Sequence, residues 1–234
     1  MLEGQFYLPI SYDLIATFLF AVTGALVAYR KGYDYLGLFS LALATGAGGG
    51  LIRDGIFLQT GPPAFVTDWR YMAMVLAAGF LVILAGENIK RVNLVILLAD
   101  ALGLGFYAAV GAQKSINLGL SVLAAGLIGL INAVGGGMLR DVLSREEPII
   151  FQPGQLYAMA ALFGVTTFLA LGVGFRINAQ AAALISIGVA FVTRTVSIIF
   201  DIHTHPVKEH RGRAAVKRST RKMRRISRKK GADL

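Results

Sequence analysis

Seven apolar stretches, each long enough to cross a lipid bilayer, leave this chain few ways to fold. They fall at residues 9–29, 34–59, 69–86, 92–113, 117–143, 155–174 and 178–200. A helix needs about 20 apolar residues to span the hydrocarbon core. Inside lipid every backbone N–H and C=O must be bonded within the protein, which selects helices. Short polar or Pro/Gly connections, such as 30–32 and 60–63, separate the stretches. The expected fold is all-α, a membrane protein of seven transmembrane helices.

Charge is scarce and segregated. Only 15% of the residues are charged, against about a quarter in soluble domains. Residues 203–234 hold twelve Lys/Arg and two Asp/Glu, while residues 1–202 hold eleven of each sign. Basic residues collect on the cytoplasmic side of membrane proteins. With the tail placed there, Arg30, Lys31, Lys90, Arg91 and Arg145 share its side, and only Arg70, Lys114 and Arg176 face the other. The chain is expected in the cell membrane, N-terminus outside and C-terminus in the cytoplasm. The tail is expected to be disordered, a topology determinant that also suits anionic lipid headgroups. It lacks the interleaved aromatics of single-strand binders, so no nucleic-acid partner is expected. The absence of cysteine excludes disulfides and thiol chemistry. The first residues carry no basic n-region, so the first stretch reads as a permanent span.

The chain also repeats itself. Shifted by 87 positions, residues 13–54 align with 100–141 without a gap, and 12 of the 42 positions are identical. Composition alone would give about four. The likeness resumes between YMAMVLAAG at 71–79 and YAMAALFG at 157–164. Each copy holds three spans, an odd number, so the second copy must enter the membrane inverted. The domains expected are a first repeat at 1–87, a second at 88–175, a seventh helix at 176–202 and the tail at 203–234. The seventh helix returns the C-terminus to the cytoplasm and packs on the bundle.

Within the second and fifth spans the repeat carries GGG, two apolar residues and Arg-Asp: Gly48, Gly49, Gly50, Arg53 and Asp54, then Gly135, Gly136, Gly137, Arg140 and Asp141. Each glycine weakens a helix by about 1 kcal/mol relative to alanine. One reading is a break or kink at both triplets. Its freed carbonyls would face a cation at mid-membrane, and its freed N–H groups an anion. The other is close helix packing. Thr45 and Asn132, repeat mates just before the triplets, are candidate oxygen ligands along such a path.

Arginine and aspartate are costly in a span, at about 2.5–3.5 kcal/mol each at its centre. Sequence neighbours on a helix do not face each other. Cross-repeat pairs, Arg53 with Asp141 and Arg140 with Asp54, are therefore expected, with these four residues in a pore or gate role beside the path and snorkelling to the interface as the alternative. Asp13 and Asp100 read as charges near helix N-termini, Lys114 as an interfacial anchor, and Arg194 as a buried cation needing a partner. His203 and His205 carry no ligand pattern, so no metal site is expected. No nucleotide-binding, hydrolase or zinc-protease motif occurs. Neither an enzyme nor a cofactor is expected.

Two three-span repeats, each with GGG-x-x-R-D in its second helix, followed by a seventh span and a basic tail, resemble the bacterial and archaeal trimeric intracellular cation (TRIC) channel family. The resemblance covers residues 8–200. It implies a homotrimer with one ion path inside each subunit, conduction of K⁺ with Na⁺ also passing, and kinks at Gly48–Gly50 and Gly135–Gly137. It also implies a voltage or gate role for a basic residue of the fourth helix, where Lys114 stands. Relatives are also described as glycine transporters. A secondary carrier of glycine or another small zwitterion is the alternative, since inverted repeats are common among carriers.

Overall fold

The structure, a computed structural model, describes residues 6–85, 91–152 and 156–200. The tail, with His203 and His205, lies outside the described residues. The chain forms α1 (Ile10–Arg30), α2 (Tyr35–Ile52) with a π-helical extension (Arg53–Leu58), a short α3 (Ala64–Thr67) and α4 (Trp69–Ala85). There follow α5 (Val92–Asn117), α6 (Val122–Leu143), α7 (Tyr157–Leu169) with a π-helical end (Ala170–Gly174), and α8 (Ala179–Ile199). Six of the described helices are long and apolar enough to cross a membrane, and α4 is a shorter apolar helix of 17 residues. The protein is an all-helical, multi-pass membrane protein.

The repeat extends to the turns. Gly32 and Gly119 are repeat mates, and both take the left-handed φ (+70° and +76°) that glycine adopts without strain. Two residues later Asp34 and Ser121, also mates, cap α2 and α6 by accepting from Gly37 N–H and Ala124 N–H. That turn starts α6 at Val122, later than the apolar pattern suggested. At the far ends Gln59 N–H donates to the Asp54 carbonyl and Glu146 N–H to the Asp141 carbonyl, again the same bond in each copy.

Helices α1 and α5 form the centre. The first packs on α2 and α4, the second on α6 and α7, and α2 meets α6. Fully buried alanines 16, 21, 25, 101, 108 and 112 let these backbones approach closely. Contacts of Lys114 with Asp13 and of Arg140 with both Thr23 and Asp100 run α1 and α5 antiparallel, as the inverted repeat requires. Helix α8 packs on α5 and α7 and has no counterpart in the first repeat. Large apolar side chains such as Leu36, Phe80, Leu84, Leu123 and Leu184 face outward, as a lipid-facing surface requires.

The helix break expected at the triplets does not appear. Both α2 and α6 run as continuous α-helix through them. Two of the glycines serve the crossing. A methyl on Gly49 would strike the Asn132 carbonyl oxygen, and one on Gly136 would strike the Thr45 carbonyl oxygen. Those two contacts are images of each other under the 87-residue shift. They place the pseudo-two-fold axis between the triplets, so the packing reading holds for these two glycines. The helical irregularity falls just beyond, at Arg53–Leu58.

Candidate functional site

Two polar clusters sit at opposite ends of the α1–α5 pair, and they are repeat mates. In the first, Arg53 donates from Nε to Asp54 Oδ1 (2.6 Å) and from Nη2 to Asp54 Oδ2 (2.8 Å). It also donates from Nη1 and Nη2 to Asp13 (3.3 and 3.1 Å). The Tyr71 hydroxyl donates to Asp13 Oδ2 at 2.9 Å, as does Lys114 Nζ at 2.9 Å. Lys114 also stands 3.8 Å from Asp54 Oδ2. In the second cluster Arg140 donates from Nε to Asp141 Oδ1 and from Nη1 to Asp100 Oδ1, both at 2.9 Å. Its Nη1 also donates to the Thr23 hydroxyl at 2.9 Å.

The expected cross-repeat pairs are therefore replaced by pairs within each repeat. Each arginine takes the aspartate beside it and the aspartate 40 positions before it. The rule that neighbours on a helix diverge describes where Cβ points. The long arginine side chain curls back far enough to reach its neighbour while the guanidinium meets the acid on the preceding helix. Snorkelling does not occur either, since Arg53 and Arg140 are 1% and 2% exposed. Asp13 and Asp100 both act as ion-pair partners, and Asp13 also lies in the first turn of α1, as a helix-end charge would. For Asp100, which lies two turns inside α5, no helix end is near.

The third glycine of each triplet lies beside these groups, and only Gly137 is needed to make room for them. A methyl on Gly50 would lie 3.6 Å from Arg53 Nη2. One on Gly137 would lie 2.7 Å from the Tyr157 hydroxyl and 3.6 Å from Asp100 Oδ1. Between the clusters, Tyr107 bonds the Thr17 hydroxyl (2.9 Å) and donates to the Gly46 carbonyl. Asn132 donates to the Tyr107 carbonyl at 2.7 Å, and its own Oδ1 is buried without a hydrogen-bond partner among the described residues. Thr45 spends its hydroxyl on the Leu41 carbonyl at 2.6 Å. Both repeat mates thus lie fully buried at the α2–α6 crossing.

A cavity of about 440 Å³ opens onto the first cluster. Asp13, Asp54, Tyr71, Gln113 and Lys114 line it together with apolar residues of the N-terminal segment and the 58–67 region. Among the described residues no group of three or more His, Cys, Asp or Glu is placed to hold a metal ion.

At the other end of the bundle Glu146 ties the two repeats together. It pairs with Arg30 at 2.8 Å and Lys31 at 3.1 Å. Lys31 also donates to the Ser144 carbonyl, and Arg30 to Asn93. Partial burial raises the Glu146 pKa, but the Lys31 hydrogen bond and the charges of Arg30 and Lys31 outweigh it and hold the carboxyl below its ordinary value.

Sequence reasoning did not single out Tyr71, Tyr107 and Tyr157 as members of the site. The first and last open the YMAMVLAAG and YAMAALFG segments, so the repeat itself carried that signal.

Comparison with known proteins gives a consistent answer. The family described as glycine transporter matches residues 10–87 and 97–173. The UPF0126 membrane protein of Deinococcus radiodurans is 39% identical over 153 residues, 65% of this chain and 71% of that one. The UPF0126 inner membrane protein YadS of Escherichia coli is 31% identical over 187 residues, covering 80% and 89% of the two chains. Among solved structures, the TRIC trimeric intracellular cation channel orthologue from Rhodobacter sphaeroides is 34% identical, with a TM-score of 0.76 over 82% of this chain and 98% of that one.

Proposed function

The chain belongs to the membrane-protein family described as glycine transporter, with the fold of the TRIC cation channels, and from that premise we propose that it is a cation channel. In this reading it conducts monovalent cations, K⁺ foremost with Na⁺ also passing, through a path inside each subunit of a homotrimer. It is a transport protein rather than an enzyme. The basic tail holds the C-terminus in the cytoplasm against anionic lipid.

One observation carries the reading. Two buried clusters, each with two carboxylates, stand at opposite ends of the α1–α5 pair, and the first lies under an open cavity. Carboxylates at the ends of a path replace part of a cation's hydration and repel anions. Arg53 and Arg140 position those carboxylates. Lys114 is the accessible member of the first cluster, its side chain 32% exposed against 1% for Arg53. It occupies the place an entering cation would take between Asp13 and Asp54, and so acts as the gate. The triplets, with Thr45 and Asn132, form the narrow crossing, and conduction bends the unbroken helices there.

The family's description favours a second reading, a carrier for glycine. The cavity presents Lys114 and Gln113 beside Asp13 and Asp54, which suits the two charges of a zwitterion.

Reconstitution into lipid bilayers separates the two. Unitary K⁺ currents under a K⁺ gradient support the channel. Saturable glycine counterflow without unitary currents refutes it. Asp54→Asn and Asp141→Asn are each expected to lower K⁺ conductance severalfold and weaken selectivity over Cl⁻. Unchanged values would remove these carboxylates from the path.

A further inference from the structure

The two clusters are repeat mates, but their charges are completed differently. In the first, Asp13 and Asp54 face Arg53, and Lys114 supplies the second positive charge. Lys114 stands, 87 positions later, where the first repeat has Val27. The repeat therefore encodes no second cation for Asp100 and Asp141. An uncompensated carboxylate inside a membrane bundle is costly. Asp100 Oδ2 is buried without a hydrogen-bond partner among the described residues, while Oδ1 takes Arg140.

The missing charge is on the helix outside the repeats. Arg194 of α8 is fully buried, and its guanidinium lies 5.0 Å from the centre of the Tyr157 ring. The Tyr157 hydroxyl in turn faces the space beside Gly137 and Asp100. A guanidinium over an aromatic face is held by cation–π attraction and keeps its charge.

We propose that Arg194 is the standing counter-charge of the Asp100–Asp141 pair, the counterpart of Lys114 at the other end of the path. On this view α8 is part of the conduction machinery: it neutralises one end of a path whose symmetric half is neutralised from α5. Arg194 is a positioning residue that sets how strongly that end attracts cations. The inference rests on the channel reading for its functional consequence and on charge balance alone for its structural one.

Removing the charge leaves a net negative end that concentrates cations there. R194Q channels are expected to rectify by about twofold or more at low salt, with the effect shrinking as salt screens it. K114Q channels should rectify in the opposite direction, because they unmask the opposite end. R194K should stay linear. Linear currents from R194Q, rectification in the same direction as K114Q, or an R194K variant that behaves like R194Q would overturn the proposal. Melting temperature in detergent tests the same pairing without any current. R194Q should be destabilised, and D100N/R194Q, which restores neutrality, should recover most of the loss. A double variant no more stable than R194Q refutes the pairing. A parent protein that passes no current refutes the channel reading and leaves this thermal test standing.

Discussion

Gly49 and Gly136 show how one hydrogen in place of a methyl sets a helix crossing. At each, an added Cβ meets a backbone carbonyl of the facing helix, which cannot rotate away. Gly49→Ala and Gly136→Ala should each cost about 1–3 kcal/mol as overpacking, read as a lower melting temperature in detergent. Gly50→Ala meets only an arginine nitrogen at 3.6 Å and should be tolerated. The triplet was legible in the sequence as special, but the three glycines share one composition and have separate duties, which only the facing atoms reveal. Arg53 is the harsher case. Arg53→Gln strands two buried carboxylates, and breaking a buried pair costs about 3–5 kcal/mol. The double variant D13N/R53Q should recover part of that loss in the same melting assay.

At the scale of elements, the repeat is the strongest instruction in the chain. Helix number, the inverted pairing of α1 with α5 and the glycine turns follow from hydropathy and the 87-residue shift. Even the caps obey it. Asp34→Ala and Ser121→Ala should each cost about 1 kcal/mol, with backbone hydrogen exchange faster at the start of α2 and α6 respectively. The ion-pair scheme was not legible. Helical geometry fixes the direction of Cβ but not where a long arginine chain ends, and choosing between the near and the crossed aspartate needs the distance between helices. Nor does periodicity separate a bent helix from a π-helical segment displaced by a few residues, as at Arg53–Leu58.

For the whole molecule, the Glu146 link joins the end of α1 to the end of α6, across the repeats. Its carboxyl is held below its ordinary pKa of 4.5 by the two cations, after burial has pushed the other way. A depressed folded pKa gives stability that is fully present above the unfolded value and lost as pH falls through the folded one. The link should therefore hold at neutral pH and fail below about pH 4.5. Because the Glu146 side chain is 39% exposed, its contribution is expected to be modest, about 1 kcal/mol or less. E146Q should flatten the acid limb of melting temperature against pH, leaving the neutral region slightly lowered.

Pairing within each repeat also bears on how the chain enters the membrane. Each arginine meets its acids inside one helical hairpin, α1 with α2 or α5 with α6. Asp13 and Arg53 are synthesised 40 residues apart, with a single turn between their helices. A hairpin can therefore carry its arginine into lipid already matched, leaving the second carboxylate's charge to be balanced when the repeats dock. Crossed pairs would have left Arg53 and Asp54 unmatched until the second repeat was translated. Biogenesis can proceed as two nearly neutral insertions followed by their docking at the glycine crossing.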